Sequence, residues 1–262
     1  MFHFKRIQNW KELVDLIEEP QPNYPSFTAN YIQYRGQSNK DWKLESSLLR
    51  IVKGDSLSEE KAKYYEAEAQ MEFGGKVHIL EQKFSYTHPN PIAMYVDMQH
   101  YSCPTRLLDW TSSPYIGLYF AVNDSFDKDG ALFTWDSRNY VRKMKLLNRS
   151  STISPDEILT FTEYDFLTII FASKRNERLS KQQGAFSISN NPIKSHCDII
   201  KETFERDEPS GLYKIEIPKE LKFEFLSRLK IMNITAESLF PGLDGLGKSI
   251  REQMFLRKWG RV

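Results

Sequence analysis

Residues 99–121 have the sequence QHYSCPTRLLDWTSSPYIGLYFA, which places polar side chains within an otherwise apolar strand, turn and helix. Those polar side chains belong to His100, Arg106, Asp109, Thr111 and Ser112. Burying hydrogen-bonding groups costs free energy unless each group finds a partner. The stretch therefore predicts one of two outcomes, a rigid polar network that fixes the core or a functional site.

The elements on either side of this stretch predict an α+β fold. Ser113 and Pro114 are expected to begin its helix, because serine is a good N-cap and proline fits the first helical position. Apolar periodicity predicts further helices at 10–17, 56–73, 77–84, 92–101, 192–204, 218–231 and from about 242, with Gly74-Gly75 interrupting the long one. Period-two alternation predicts strands at 29–34, 107–110, 131–135, 166–171, 184–189 and 212–217. Because helices and strands alternate irregularly, a mixed architecture is expected rather than a regular βαβ series.

Composition indicates a globular protein without a global charge preference. The chain has 262 residues, 40% of them hydrophobic, and a formal net charge of +1. Such a chain is expected to form one large domain or two small ones, and any basic binding site must be local, such as Arg138–Arg149. Two cysteines are too few for a disulfide framework. Because neither an apolar run of about 18 residues nor a secretory leader is visible, a cytoplasmic location without a membrane partner is expected.

Three motifs in the chain are better explained by structure than by phosphate binding, metal binding or catalysis. Residues 242–249 match a phosphate-binding loop pattern, but Pro241 precedes them where a buried strand is needed, so a capped terminal helix is predicted instead. The five histidines show no metal-ligand spacing, and no metal is expected. Cys103 lies three residues after His100, but Pro104 follows it directly, so an inert buried cysteine is the better prediction.

Three polar segments are expected to lie at the edges of apolar elements. They are Tyr34-Arg35-Gly36-Gln37, Asp109–Pro114 and Arg178–Phe186. An arginine at a strand end suits a phosphate or ribose, and the glycine beside it allows a close backbone approach. An aromatic ring on the helix after the second segment could stack on a flat ligand. The alternative is that Arg35 and Arg106 pair with carboxylates such as that of Asp109 and only lock the core.

These segments resemble the FRG family, named for a Phe-Arg-Gly signature. Tyrosine stands in place of the phenylalanine, and Ser102-Cys103 stands where the family usually has a glycine before a variable residue. The matching segments are Tyr34–Gln37, Trp42–Leu44, Ser47–Arg50, Gln99–Tyr101, Pro104–Pro114, Leu118–Ala121, Arg178, Gln182–Phe186 and Leu239–Leu246. Their extent implies a single domain over 1–262, with an N-terminal helix and Pro-rich connection at 1–25 and the core at 26–262. Family members often lie near mobile or defence genes, which implies a toxin or antiviral role.

The stretch 109–121 is also similar, more distantly, to the Ser-Thr-Ser strand and following helix of ADP-ribosyltransferases. That likeness implies a central, largely antiparallel split sheet flanked by helices, and an enzyme that cleaves NAD as its substrate. Its implied catalytic residues are Arg35, Asp109 and Gln183. Its implied NAD-binding residues are Arg35, Gln37, His100, Arg106, Thr111, Ser112 and Tyr119, with Tyr119 over the nicotinamide.

Gln183 departs from the transferase pattern, because a catalytic glutamate normally stands at the entry to that strand. A neutral amide can bind a ribose hydroxyl, but it stabilises a developing oxocarbenium charge far less. Asp109 or Glu163 is then the expected acid. The acceptor would be a macromolecule such as nucleic acid, positioned by basic residues at 138–149 and 174–178. The alternatives are a non-catalytic nucleotide- or nucleic-acid-binding module and a purely structural partner domain.

Overall fold

The computed structural model describes residues 3–18, 32–53, 58–80, 91–149, 153–154, 157–161, 163–171, 177–205, 208 and 210–259. Its strands are β1 (His3–Arg6), β2 (Ile32–Gln37), β3 (Leu108–Thr111), β4 (Gly130–Asp136), β5 (Leu167–Ile170), β6 (Gly184–Ser189) and β7 (Leu212–Ile217). Its helices are α1 (Trp10–Glu18), α2 (Ser47–Val52), α3 (Glu59–Leu80), α4 (Pro91–His100), α5 (Pro114–Val122), α6 (Ser137–Leu146), α7 (Glu177–Lys181), α8 (His196–Thr203), α9 (Lys222–Ile231), α10 (Ala236–Leu239) and α11 (Gly242–Trp259). Short 3-10 turns lie at Glu157–Leu159 and Lys219–Leu221.

The strands form one mixed sheet in the order β1-β7-β4-β2-β3-β6-β5. β1 pairs with β7 in parallel, and the other neighbouring strands pair antiparallel. The predicted α+β class and the largely antiparallel pairing are therefore confirmed. The predicted split takes the form of a narrowing within a single sheet, because β2 and β3 pair only at Tyr34 and Thr111.

Two hydrophobic cores lie against this sheet. One contains Tyr34, Ile116 and Phe225, and it joins β2 to α5 and α9. The other contains Trp110 and Trp135, with side chains from β3, β4, β5 and β6. Because side chains alternate along a strand, β2 directs Tyr34 to the first core and its neighbours toward the second.

Gly36 sets the distance between β2 and α5. A Cβ atom built on it would lie 1.9 Å from the backbone oxygen of Gly117 and 2.5 Å from the backbone nitrogen of Ala121. No side chain larger than hydrogen fits there without moving the helix. The predicted close approach at this glycine is thus made by α5. Ser113 caps the helix, with its hydroxyl accepting from the N–H of Ile116, and Pro114 follows, as predicted.

The sequence located most elements, and its largest error concerns α3. The predicted strands 184–189 and 212–217 coincide with β6 and β7, whereas β1, α2, α6, α7 and α10 were not predicted. The predicted break at Gly74-Gly75 is wrong, because α3 runs unbroken to Leu80. A glycine costs a helix only about 1 kcal/mol relative to alanine, which a long helix tolerates. The predictions for residues 20–25, 29–31, 56–57, 81–84 and 174–176 fall outside the described residues.

The C-terminal helix removes the resemblance to a phosphate-binding loop. As predicted, Gly242–Ser249 begins a terminal helix: it forms the first turns of α11 and is not a loop after a buried strand. Across the described part of the chain, every helix is too short or too polar to cross a membrane.

Candidate functional site

Arg35 occupies the place where β2 and β3 separate. Asp109 lies two residues before Thr111 on β3, so its carbonyl points toward β2, but β2 no longer pairs there. The Arg35 Nη1 donates to that carbonyl oxygen at 2.7 Å instead. The guanidinium therefore replaces a hydrogen bond that a continuous strand pair would make.

The charge on Arg35 is only partly compensated. Its Nη1 lies 3.7 Å from Asp109 Oδ2, and the two side chains are 17% and 57% exposed. Its Nε is buried and makes no hydrogen bond within the described residues. Burial lowers the pKa of Arg35, Asp109 opposes that effect, and the positive charge of Arg50 adds to it. Arginine nevertheless keeps its charge in proteins, so a mostly buried cation retains an unsatisfied donor.

Asp109 lies in a small cleft, which we call the Asp109 cleft. Gln99 Nε2 donates to Asp109 Oδ2 at 3.0 Å, and Gln99 Oε1 accepts from Thr105 Oγ1 at 2.6 Å. The pKa of His100 is lowered, first by burial and then by the positive charge of Arg178. The cleft has a volume of about 40 Å³ and is lined by Val96, Gln99, His100, Asp109, Arg178, Leu179, Gln182 and Phe186.

The third polar segment meets β3 at the end of α7. Thr111 Oγ1 donates to the Gln182 carbonyl at 2.7 Å, and the Ser112 N–H donates to the Gln183 carbonyl at 3.0 Å. Gln182 Nε2 donates to the Leu239 carbonyl at 3.2 Å, so its amide ties the turn to α10. Gln183 is exposed, has a φ of 47° and directs Oε1 to within 3.4 Å of Ser112 Oγ. A non-glycine residue in this region is strained, and such strain is concentrated at functional sites.

The structure therefore brings several predicted residues to one edge of the sheet. Arg35, Asp109 and His100 lie at or beside the Asp109 cleft, and Ser112 and Gln183 lie at the adjoining turn. Gln99 and Arg178 line the same cleft, although Gln99 was not among the predicted site residues and Arg178 was predicted only to position an acceptor. Both belong to the segments that carry the family resemblance, which was the available signal.

Arg106 lies in the core. Its Nε donates to Glu66 Oε1 at 2.8 Å, and its Nη1 donates to the carbonyls of Ser189 and Asn190 at 3.1 and 3.0 Å. Arg106 and Glu66 are 3% and 2% exposed. The side chain thus joins α3 to the end of β6, as the core-locking alternative expects for this arginine, although with a different carboxylate.

Tyr119 and Gln37 also direct their side chains inward. Tyr119 is fully buried between the sheet and α11, and its hydroxyl donates to Glu252 Oε1. Gln37 is 5% exposed, and its Nε2 donates to the Lys43 carbonyl at 3.3 Å. In this conformation neither side chain has a surface from which to contact a ligand. Glu163 is exposed just before β5, the edge strand of the sheet.

A buried hydrogen-bond chain lies beneath Arg35 and was not predicted. Trp110 Nε1 donates to Ser187 Oγ at 2.7 Å, and Ser187 Oγ lies 2.7 Å from His196 Nδ1. In the tautomer that carries its proton on Nε2, His196 accepts a hydrogen bond from the Ser187 hydroxyl through Nδ1. Burial first, and then the charge of Arg35, lower the pKa of His196 to about 3. His196 is therefore neutral, and it supports the strands that hold Arg35.

Other chemistries find no support in the described residues. Within them, no group of three or more histidine, cysteine or acidic side chains could hold a metal ion. Cys103 and Cys197 are both free thiols. Burial raises the pKa of the Cys103 thiol and that of Cys197 to about 11, which keeps both protonated near neutral pH.

Comparison with known proteins identifies one domain. Residues 30–130 match the family model of the FRG domain. No curated protein and no solved structure matches the chain significantly. The matched segment contains β2 with Arg35, β3 with Asp109 and all of α5. Residues 30–130 are therefore similar to the FRG domain, and the rest of the chain lies outside the match.

Proposed function

We propose that this chain is an ADP-ribosyltransferase-like enzyme that binds NAD at the Asp109 cleft and cleaves its glycosidic bond. The observation that carries the proposal is the state of Arg35, a mostly buried cation whose Nε has no partner among the described residues. The Arg35 side chain is 17% exposed and lies beside Asp109, which lines the cleft, so its positive charge favours an anionic ligand there. The pyrophosphate of a dinucleotide offers acceptor oxygens suited to a guanidinium.

The residues around Arg35 suggest how the bond would break. The bond between nicotinamide N1 and ribose C1′ breaks, and the electron pair leaves with nicotinamide. The acceptor forms a bond to C1′ and loses a proton. Asp109 is exposed and can stabilise the positive charge that develops on the ribose. The Gln183 amide, beside Ser112, can bind a ribose hydroxyl.

The size of the cleft sets a requirement on the proposal. Its volume of about 40 Å³ is close to that of a single water molecule. A typical ligand pocket measures roughly 300–1,000 Å³. NAD binding therefore requires the side chains of Gln99 and Arg178 to move away from Asp109, or the dinucleotide to lie across the open surface.

A second function is favoured by one observation. The residue beside Ser112 is the neutral Gln183 rather than a carboxylate, which weakens charge stabilisation but leaves nucleotide binding intact. The same arginine-centred site would then serve a non-catalytic nucleotide- or nucleic-acid-binding module. A nucleotide-binding module would share NAD as a ligand with the transferase and would differ from it in turnover.

The test measures binding and turnover in the same preparations. Purified protein is incubated with radiolabelled NAD together with DNA, RNA or cell lysate, and nicotinamide release and labelled products are measured. Thermal unfolding with and without NAD reports binding, since a ligand at about 100 times its Kd adds about 2.7 kcal/mol of stability. The variants are Arg35→Ala and Asp109→Asn, with Arg257→Ala as the matched control because Arg257 is exposed on α11.

Each outcome bears on the proposal. Nicotinamide release by the unmodified chain and by Arg257→Ala, with loss in Arg35→Ala and Asp109→Asn, supports the transferase, and the labelled product identifies the acceptor class. An NAD-induced thermal shift without turnover supports the binding module. Absence of both NAD-induced stabilisation and turnover overturns the assignment of NAD to this site.

A further inference from the structure

We propose that the groove between α6 and the edge strand β5 binds an extended, acidic peptide segment of a partner protein, which pairs with β5 as an additional strand. This groove lies outside the Asp109 cleft, and the proposal does not depend on NAD binding. It rests on the shape of the groove, the orientation of the β5 backbone and the sign of the charges along α6.

The groove is large and has an apolar floor. It has a volume of about 610 Å³, several times that of the other cleft, and its apolar lining includes Trp135, Val141, Ile169 and Phe171. Val141 is 37% exposed and Phe171 is 50% exposed. The Trp135 indole is 1% exposed, and its N–H has no acceptor among the described residues. The groove thus offers apolar surface to a ligand.

The backbone of β5 presents a free edge to this groove. β5 is the last strand of the sheet and pairs only with β6. The N–H of Leu167 points away from β6, since it donates to Tyr140 Oη at 3.1 Å. Backbone groups alternate along an antiparallel strand, so the N–H and C=O of Ile169 point the same way. Neither is hydrogen-bonded within the described part of the chain, and such an edge is a template for strand addition.

The charges around the groove select an acidic partner. Its lining contains Arg138, Arg142 and Lys145 and no carboxylate. Arg138 pairs with Asp136 at 2.9 Å, whereas Arg142 and Lys145 are exposed on α6 without an ion pair to any described residue. Two uncompensated cations beside an open strand edge attract glutamate or aspartate side chains.

The same features favour a peptide over a nucleic acid. The cations lie on the α6 side of the groove, while the opposite wall is the strand edge with Ile169 and Phe171. A phosphate backbone gains most of its affinity from many charge contacts. A peptide strand, in contrast, can use the backbone groups of Ile169, the apolar floor and the two cations together.

The test uses the full chain and a defined probe. A fluorescein-labelled hexapeptide of alternating glutamate and isoleucine is titrated against the protein, and fluorescence polarisation reports binding. A lysine-isoleucine peptide controls for charge, and the acidic peptide N-methylated at every residue controls for backbone pairing. The variant Arg142→Glu/Lys145→Glu is compared with Arg257→Glu/Lys258→Glu, which makes the same charge change on α11.

We expect saturable binding of the acidic peptide alone, weakened roughly tenfold or more in Arg142→Glu/Lys145→Glu and unchanged in the α11 variant. N-methylation is expected to abolish binding, and hydrogen exchange at Ile169 is expected to slow when the unmodified peptide is bound. Equal binding of the N-methylated peptide overturns strand addition. Preference for a single-stranded oligonucleotide over the peptide, or no binding of either, overturns the proposed partner.

Discussion

Acidification is expected to destabilise the fold through His196. The ring is 2% exposed and its Nδ1 lies 2.7 Å from Ser187 Oγ, and burial with the nearby charge of Arg35 lowers its pKa to about 3. In the unfolded chain a histidine has a pKa of about 6.5. Between these values the unfolded state binds a proton that the folded state does not. The free energy of unfolding therefore rises with pH from about 3 to about 6.5 and falls on acidification.

The size of the effect follows from the difference between the two pKa values. Lowering the pH from about 7.5 to about 5 leaves His196 neutral in the folded protein and mostly protonated in the unfolded chain. At about 1.4 kcal/mol per pH unit, the loss from this residue is about 2 kcal/mol. That is a large share of the roughly 5–15 kcal/mol that holds a typical domain folded.

Urea unfolding followed by tryptophan fluorescence at the two pH values measures this loss. In His196→Asn the side chain is neutral at both pH values. The loss of unfolding free energy on acidification should therefore be smaller by about 2 kcal/mol than in the unmodified chain. His78→Asn changes an exposed histidine on α3 and should leave the loss unchanged. The reasoning is refuted if His196→Asn loses as much stability between the two pH values as the unmodified chain does.

Three further changes test the packing around the site. Gly36→Ala should lower the free energy of unfolding by about 1–3 kcal/mol, because its Cβ would overlap α5, and an unchanged urea midpoint would contradict the close approach. Arg106→Leu and Glu66→Leu should each lower the free energy of unfolding by about 3–5 kcal/mol, because each leaves a buried charge without its partner. The double variant should recover most of that loss, whereas additive losses would argue against a coupled pair. Lys222 Nζ donates to the backbone carbonyls of Ser38, Asp124 and Ser125. Lys222→Met should therefore lower the free energy of unfolding by about 1–3 kcal/mol and speed hydrogen exchange near Ser38. Unaltered exchange would contradict that role.

The sequence predicted the fold well where local signals agree with the final structure. Alternating side chains located β6 and β7, and Ser113 with Pro114 located the start of α5, since each signal acts over a few neighbouring residues. α6 was missed because its basic residues were considered only as a charged run. The strand β1 was missed because its pairing with β7 joins residues far apart in the chain.

The site was predicted less completely, and the reason is physical. Sequence patterns indicate which polar residues lie near apolar ones, but they do not show which partner satisfies each one. Arg35 and Arg106 look alike in the sequence, yet Arg106 pairs with a buried carboxylate on α3 and Arg35 reaches an exposed one on β3. The buried His196 was considered only for metal binding, since nothing local indicates its contact with Ser187.

Packing explains Tyr34 and Gly36 in the signature Tyr34-Arg35-Gly36, but it does not fully explain the charged side chain of Arg35. Tyr34 pairs with Thr111 and packs beneath α5, and Gly36 lets that helix contact the strand, so both residues are accounted for by packing. Arg35 is only partly accounted for, because a single carbonyl of Asp109 accepts from it while its Nε is buried without a partner among the described residues. A neutral side chain could fill that space at a lower desolvation cost. We propose that an anionic ligand supplies the missing compensation for this charge, and the Arg35→Ala comparison tests that proposal directly.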